Sequence, residues 1–368
     1  MKHKIMNIGI IGCGTISDIY FQNITEKFTQ IRIMGCSDLD PSRREEKSEK
    51  YGVPVYSTDV LLNRKDIDIV LNLTTPEHHA RINTMALHHG KHVYCEKPFA
   101  LNREDGMSVL TLASEKGLKT GCAPDTFLGA GMQTCRKLID EGVIGIPHSA
   151  YAFMLCPGHE SWHPGPGFYY QPGGGPMLDM GPYYLTALVS LLGPVSSVFG
   201  KTGKAFNQRI CSAESTKGQV IDVNTWTDYK GLFEFESGVT GLMSMSFDVF
   251  KSEAPRIEIH GTKGSLLIPD PNTFGGPVRL FRKGDEKALD IPLYAFPYDE
   301  NSRGIGLADM ARGIETGRPY RASGNLAFHV LDTMLAFEDS SLSGSLVNIE
   351  STVEQPEILD LGLAIGEL

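Results

Sequence analysis

The sequence predicts an α/β protein of two domains: a doubly wound parallel sheet, then an α+β domain on an open, mostly antiparallel sheet. Three observations carry this. Short apolar runs alternate with helical stretches from residue 5 to about 125. A glycine-rich turn, Gly12-Cys13-Gly14-Thr15-Ile16-Ser17, joins the first run to the first helix. Beyond about 125, closely spaced turns separate strand-like runs. A chain of 368 residues is too long for one ordinary core and suits two domains, which we place at 1–125 and 126–368.

In the first domain the runs 7–11, 31–37, 69–74, 91–95 and 119–123 read as strands. They are continuously apolar, the pattern of strands covered on both faces. Segments 16–28, 43–51, 77–89 and 103–116 read as the helices between them, so the strands run parallel. In such a sheet ligands lie outside the carboxyl ends of the strands. The second domain opens with a helix over 131–141 and a strand over 149–155. A loop rich in Gly, Pro and aromatics, 156–175, leads into a helix over 178–192. Strands 226–236, 239–248, 256–260 and 265–268 follow, joined by turns such as Glu236-Ser237-Gly238 and Gly261-Thr262-Lys263-Gly264, as in antiparallel hairpins. Helices over 304–316 and 324–341 come near the end.

Composition narrows the function. Apolar residues make up 41% and charged residues 21%, values of a soluble globular protein. The net charge of −10 repels a phosphate backbone and argues against nucleic acid as a partner. No apolar run reaches the roughly 20 residues that span a bilayer, so no membrane partner is expected. Met1-Lys2-His3-Lys4 before the apolar run to Ile11 superficially resembles a signal peptide. The run is short, however, leads straight into Gly12-Cys13-Gly14 and has no small-residue cleavage site, so it reads as a buried first strand. Seven cysteines without CxxC spacing argue for reduced thiols in a cytoplasmic protein, not for disulfides or zinc. His78, His79, His88, His89 and His92 crowd together in sequence. Neighbours point to different sides of a helix and no Asp or Cys is suitably spaced, so no metal site is expected.

The glycine turn has a physical role. Gly12 permits the tight bend, Gly14 lets the backbone approach a pyrophosphate, and Ser17 takes the place of a third glycine. The helix that starts near Thr15 and Ile16 points its positive end at the phosphates. A lone turn of this kind says little. Here it follows the first strand of a βαβ unit, and Asp38 ends the next strand, which together mark a dinucleotide site. The Asp38 carboxylate accepts ribose hydroxyls and repels a 2′-phosphate. Leu39 offers no charge for such a phosphate and Arg43 and Arg44 read as a solvated helix face, so NAD is expected rather than NADP. Thr74, Thr75 and Pro76 close another strand at the same edge, where Pro76 can open the next helix. With His79 in its first turn, they are candidates to line the ribose and nicotinamide.

Four segments taken in order resemble the Gfo/Idh/MocA oxidoreductases (glucose-fructose oxidoreductase, inositol dehydrogenase and relatives). They are Gly12–Ser17, Thr75-Pro76-Glu77-His78-His79-Ala80, Gly90-Lys91-His92-Val93-Tyr94-Cys95-Glu96-Lys97-Pro98, and Gly173-Gly174-Gly175-Pro176-Met177-Leu178-Asp179-Met180-Gly181-Pro182-Tyr183. His260-Gly261-Thr262-Lys263-Gly264-Ser265-Leu266 resembles their C-terminal sheet. The similarity covers nearly the whole chain. It implies a Rossmann domain followed by a domain whose open sheet carries oligomer contacts, hence a homodimer or homotetramer. It also implies NAD-dependent hydride transfer to or from a secondary alcohol of a sugar, polyol or related small molecule.

By this resemblance Lys97 lies beside the nicotinamide and the reacting hydroxyl, Glu96 orients it and Pro98 fixes the backbone. The second motif usually reads Asp-x-Gly-x-His. Asp179 is carried over as a ligand of the substrate hydroxyl, and Tyr183 stands where the histidine base would be, as in some relatives. The residues themselves agree: Asp179 and Tyr183 are spaced i, i+4 and share one helix face. A phenol ionises at about 10, so it needs a cation such as Lys97 nearby to act as a base near neutrality. In the 156–175 loop, His159, Trp162, His163, Phe168, Tyr169 and Tyr170 suit a polyhydroxylated ligand, with Trp162 and His163 the expected contacts. Asp125, directly after the last strand of the first domain, is a further candidate for the cleft, Arg303 a weaker one, and Tyr184 reads as packing. Two alternatives stay open. Some relatives resemble redox-type glycoside hydrolases, in which NAD is reduced and re-oxidised within one turnover; a non-catalytic dinucleotide binder would not need Lys97, Asp179 and Tyr183 together.

Overall fold

A computed structural model describes residues 4–368; residues 1–3, part of the basic start considered above, lie outside the described residues. The first apolar run forms β1 (Met6–Ile11). After it come α1 (Ser17–Glu26), β2 (Ile31–Ser37), α2 (Pro41–Tyr51), α3 (Thr58–Asn63), β3 (Ile69–Asn72), α4 (His79–His88), β4 (His92–Cys95), α5 (Arg103–Glu115) and β5 (Thr120–Cys122). The five strands are parallel in the order β2-β1-β3-β4-β5. β3 and β5 are buried throughout, as strands covered on both faces are. The order reverses between β1 and β3, so a crevice opens beyond their carboxyl ends. The glycine turn, Thr74–Pro76 and Lys97 all emerge at that edge.

Two details differ from the sequence reading. α3 has only six residues, too few for a periodic signal; the Ser57 hydroxyl caps it by accepting the Val60 N–H at 3.3 Å. β3 stops at Asn72 rather than 74. The Asn72 side-chain oxygen accepts the Thr74 N–H at 3.2 Å and its hydroxyl at 2.7 Å, which turns the chain out of the sheet.

The second half runs α6 (Ala130–Asp140), β6 (Pro147–Leu155), α7 (Gly175–Leu192), β7 (Val195–Gly203), β8 (Gln208–Ile210), β9 (Val220–Asp222), β10 (Asp228–Phe235) and β11 (Thr240–Ser246). It continues with β12 (Ile257–Gly261), β13 (Gly264–Ile268), β14 (Val278–Arg282), β15 (Leu289–Ile291), α8 (Ile305–Thr316), α9 (Gly324–Ser343) and β16 (Val347–Asn348). Nine strands form one sheet, β15-β14-β13-β12-β6-β11-β10-β7-β16, antiparallel except for the β6–β11 pair. β8 and β9 make a separate hairpin. α9 lies directly on the sheet at Gly200 and Gly231, paired across β7 and β10. A Cβ on either would stand 2.8 Å from the carbonyl oxygen or ring of Phe337. The other face stays open, with Phe199 and Leu232 about half exposed. α7 begins at Gly175, three residues before the predicted start, because Pro176 sits in a first turn that needs no N–H partner. Among the described residues no helix is long and apolar enough to cross a membrane.

The chain's end returns to the first sheet. The Tyr320 hydroxyl donates to the Thr120 carbonyl at 2.8 Å, and the Cys122 N–H donates to the Ala322 carbonyl at 3.2 Å. Here the structure corrects an expectation. Asp125 does not face the cleft: it is 1% exposed, and one carboxylate oxygen accepts the N–H groups of Gly304 and Gly306 at 2.8 and 3.0 Å, where α8 begins. Its negative charge is used at a helix N-terminus.

Burial pushes the Asp125 carboxyl up from 3.8 to about 6. The folded protein therefore holds this proton more tightly than the unfolded chain. The stability this group contributes is full below about pH 4 and is lost as pH rises through about 6. Asp125→Asn keeps an oxygen for both N–H groups and removes the charge. Urea unfolding from about pH 4 to about pH 7.5 should show the wild type falling relative to the variant by roughly 2–3 kcal/mol. A difference that stays constant with pH would contradict this.

Candidate active site

The cofactor side is built by the ends of β1, β2 and β3. Gly12 has φ of 103°, and a Cβ there would lie 2.5 Å from the Leu73 carbonyl carbon, so glycine is required. Around Gly14 the opposite holds: a Cβ would meet no atom within 4 Å. That open space lies before the N-terminus of α1, where a phosphate is favoured. Thr15 and Ile16 are exposed beside it. Ser17 is buried and donates its hydroxyl to the Gly14 carbonyl at 2.6 Å, which suits the small residue expected there.

Asp38 is fixed against this turn. One of its oxygens accepts the Cys13 N–H at 2.7 Å and the other the Asp40 N–H at 2.8 Å. Leu39 is 86% exposed and carries no charge, but Arg44 is not the solvated residue expected: it is half-buried, and its Nη1 donates to the Asp38 carbonyl at 3.1 Å, whereas Arg43 stays at the surface. Thr75 is exposed, and Thr74 and Pro76 are half-buried beside it. His79 behaves differently from the expectation of a cofactor contact. It is fully buried, with Nδ1 2.7 Å from the Pro98 carbonyl oxygen and Nε2 2.9 Å from the Thr74 carbonyl oxygen. Both ring nitrogens are taken by backbone, so it braces the Thr74 turn against Pro98. Burial pulls its pKa down. The open space at Gly14 and the anchored Asp38 carboxylate fit a dinucleotide, with phosphates at the helix end and ribose hydroxyls at Asp38.

The chemical side joins two distant segments. β4 ends at Cys95 and presents Glu96 and Lys97. Glu96 is buried; one oxygen accepts the Lys97 N–H at 3.0 Å and the other the Tyr20 hydroxyl at 2.7 Å. It holds the lysine through its backbone rather than its ammonium. Lys97 Nζ donates to Asp179 Oδ1 at 3.0 Å and to the Asp179 carbonyl at 2.6 Å, and lies 5.3 Å from the centre of the Tyr183 ring. The i, i+4 pair on α7 thus meets one ammonium, as the spacing predicts.

The electrostatics follow. Burial alone would discharge Lys97, yet Asp179, Tyr183 and Glu96 hold its pKa above the ordinary value. Burial opposes ionisation of Asp179, but Lys97 and His159 bring it down to about 2. The Tyr183 phenol is pushed up by burial, and Lys97 and Arg303 offset this only in part. Arg303 is not a solvated loop arginine. Asn272 Oδ1 accepts from it at 2.6 Å and Asn301 Oδ1 at 3.0 Å, which holds the guanidinium against the Tyr183 hydroxyl.

In the loop before α7, the residue brought to Asp179 is His159. Its Nε2 lies 3.4 Å from Asp179 Oδ2. The Tyr169 ring lies 4.2 Å from the His159 ring, tilted by 54°, and feels the charges of Asp179 and Lys97; burial raises its pKa to about 12. Trp162 is 61% exposed and packs its edge on His159 and His163, while His163 Nδ1 accepts the Gly165 N–H. Trp162 and His163 form the outer layer of the wall, behind His159 and Tyr169. Tyr184 is buried and bonds the Phe153 carbonyl at 3.3 Å. Nothing in the spacing of Pro157-Gly158-His159-Glu160 marks His159 out.

A parallel sheet with a glycine turn and a ribose-binding carboxylate, facing a lysine–aspartate pair, defines a dinucleotide-dependent oxidoreductase. Residues 6–123 match the oxidoreductase family model with NAD-binding Rossmann fold, and residues 132–267 match the GFO/IDH/MocA C-terminal domain. The chain is 31% identical over 308 residues to 1,5-anhydro-D-fructose reductase of Ensifer adhaerens, covering 82% of this chain and 85% of that one. It is 25% identical over 325 residues to myo-inositol 2-dehydrogenase of Thermotoga maritima, covering 87% and 91%. Levoglucosan dehydrogenase in complex with NADH and L-sorbose shares the fold, with a TM-score of 0.79, 19% identity and coverage of 94% and 99%. The chain belongs to the Gfo/Idh/MocA family and is an NAD-binding oxidoreductase.

Two glycine variants separate fold from cofactor contact. Gly14→Ala enters empty space, so its thermal midpoint should stay within about 2 °C while NADH affinity falls at least about 10-fold. Gly12→Ala should weaken binding and also destabilise the protein by about 1–3 kcal/mol. Melting curves and NADH fluorescence titrations check both. Wild-type affinity in Gly14→Ala would contradict the cradle.

Proposed function

We propose that this NAD-binding oxidoreductase interconverts a secondary alcohol and the matching ketone of an uncharged sugar or polyol, at a site formed by Lys97, Asp179 and Tyr183. The observation that carries this is the Lys97 ammonium, bonded to Asp179 and set over Tyr183, at the carboxyl ends of the parallel strands. When bound there, the nicotinamide accepts or donates the hydride. Lys97 stabilises the oxygen charge that develops as the alcohol loses its proton, a role for a fixed cation in a water-poor site. Asp179 holds Lys97 in place and orders neighbouring hydroxyls. Tyr183, flanked by Lys97 and Arg303, hydrogen-bonds the reacting oxygen. The aromatic wall of Tyr169, Trp162 and His163 suits the C–H faces of a carbohydrate. Lys97 and Arg303 are both engaged by groups of the site itself, which favours an uncharged substrate. Relatives named for anhydrofructose and myo-inositol support the substrate class.

The reading extends to assembly and place. We place the domain division at 125. The open sheet face around Phe199 and Leu232 supports a homodimer or homotetramer, and the cysteines, six of seven buried and all free, support a cytoplasmic protein.

NADH formation across a panel of free sugars, polyols and sugar acids tests the assignment. Lys97→Met should lower turnover at least about 100-fold and leave NADH affinity within a few-fold. Near-normal turnover in that variant would sink the role given to Lys97.

A further inference from the structure

His159 stands out as a group that the Lys97–Asp179–Tyr183 site leaves without a task. Its Nε2 is shielded from solvent and has no hydrogen-bond partner in the strict sense; what it faces, at 3.4 Å, is Asp179 Oδ2. The other oxygen of the same carboxylate takes Lys97 Nζ at 3.0 Å. Asp179 therefore bridges an ammonium and an imidazole. The ring is walled by Tyr169 at 4.2 Å and Phe247 at 4.6 Å, with the exposed Trp162 at its outer edge, 5.3 Å away.

The loop is built to keep His159 there. The Tyr170 hydroxyl accepts the His159 N–H at 3.1 Å. Glu160, next in sequence, is bonded by the Tyr170 hydroxyl and by Arg209 Nη1 at 3.1 Å. Arg209, on β8, is nearly buried and also bonds Asp248 and the Phe247 carbonyl. The charged and titratable groups around the ring are thus Asp179 with Lys97 behind it, Tyr169 and His163 from its own loop, and Glu160 backed by the Arg209–Asp248 pair. Holding a mere packing residue would not need this buried ion cluster.

We propose that His159 carries away the proton that alcohol oxidation releases, receiving it across the Asp179 carboxylate; this rests on the oxidoreductase reading above. The carbinol C–H bond breaks and its electron pair leaves as hydride to bound NAD. The O–H bond breaks, and Lys97 takes that proton as it passes one of its own through Asp179 to the imidazole. The C=O bond forms, and His159 gives the proton to water at the outer edge of the loop. The sum is alcohol plus oxidised NAD to ketone, NADH and one proton. Such a relay supplies what the other three groups lack. Lys97 is held charged, Asp179 is held ionised and the Tyr183 phenol is held neutral, whereas the two ring nitrogens of an imidazole can take a proton on one side and give one up on the other.

The test uses a polyol or sugar that the wild type oxidises. His159→Gln keeps an amide of similar reach but cannot take a proton. It should lose about 100-fold in kcat with KM within about three-fold, the size of a proton-transfer contribution. His159→Ala should lose as much and regain at least about ten-fold on addition of free imidazole, a response that a structural role would not give. NADH titrations on both variants, expected at wild-type affinity, separate lost chemistry from lost folding. Turnover within about three-fold of wild type in His159→Gln, or a loss in His159→Ala untouched by imidazole, would overturn the relay alone. A wild type that oxidises nothing on the panel would overturn the sugar or polyol reading, and the relay with it.

Discussion

The contact between Lys97 and Asp179 is the constraint on which the rest of the site depends. It joins residues 82 apart in sequence, one at the end of β4 and one in the first turns of α7, and each side chain is only 17% exposed. Either charge left alone at that depth would cost several kcal/mol, so each half of the molecule is obliged to present the other with its partner. Around the pair, supports are layered. Tyr20 bonds Glu96, whose other oxygen takes the Lys97 N–H, and His79 ties Pro98 to the Thr74 turn. The lysine is therefore held through its backbone from two sides before its ammonium finds a carboxylate.

This arrangement also explains how one carboxylate can stay charged in a largely buried site. Asp179 spends one oxygen on Lys97 and turns the other to His159. The Lys97 ammonium neutralises its charge, and its low pKa follows from Lys97 and His159 despite burial. The phenol of Tyr183 has two cations and no anionic partner at hydrogen-bond distance, yet burial still wins. Its task is then to bond and orient the reacting oxygen.

What could be read from the sequence was whatever depends on neighbours close in the chain. The parallel sheet was legible because short, mostly apolar runs alternate with helical stretches. Gly12, Gly14 and Asp38 were legible because the turn and the strand end that carry them sit at fixed offsets. The Asp179–Tyr183 face was legible because i, i+4 spacing on a helix leaves no other arrangement. Features set by distant partners were not. Asp125 looked like a cleft residue until the start of α8, 179 residues further on, took its charge. Among the loop aromatics, the choice of His159 over Trp162 and His163 is made by Arg209 holding Glu160, a contact across 49 residues. The nine-stranded order, with β6 between β12 and β11, likewise rests on a parallel pairing that no turn announces.

A double-mutant cycle on Lys97→Met and Asp179→Asn, read in kcat/KM for NADH formation, tests the central claim most directly. If the two act as one unit, the double variant should be little worse than the poorer single variant, with a coupling of roughly 2 kcal/mol or more. Losses that add within about 0.5 kcal/mol would show two independent residues and contradict the account.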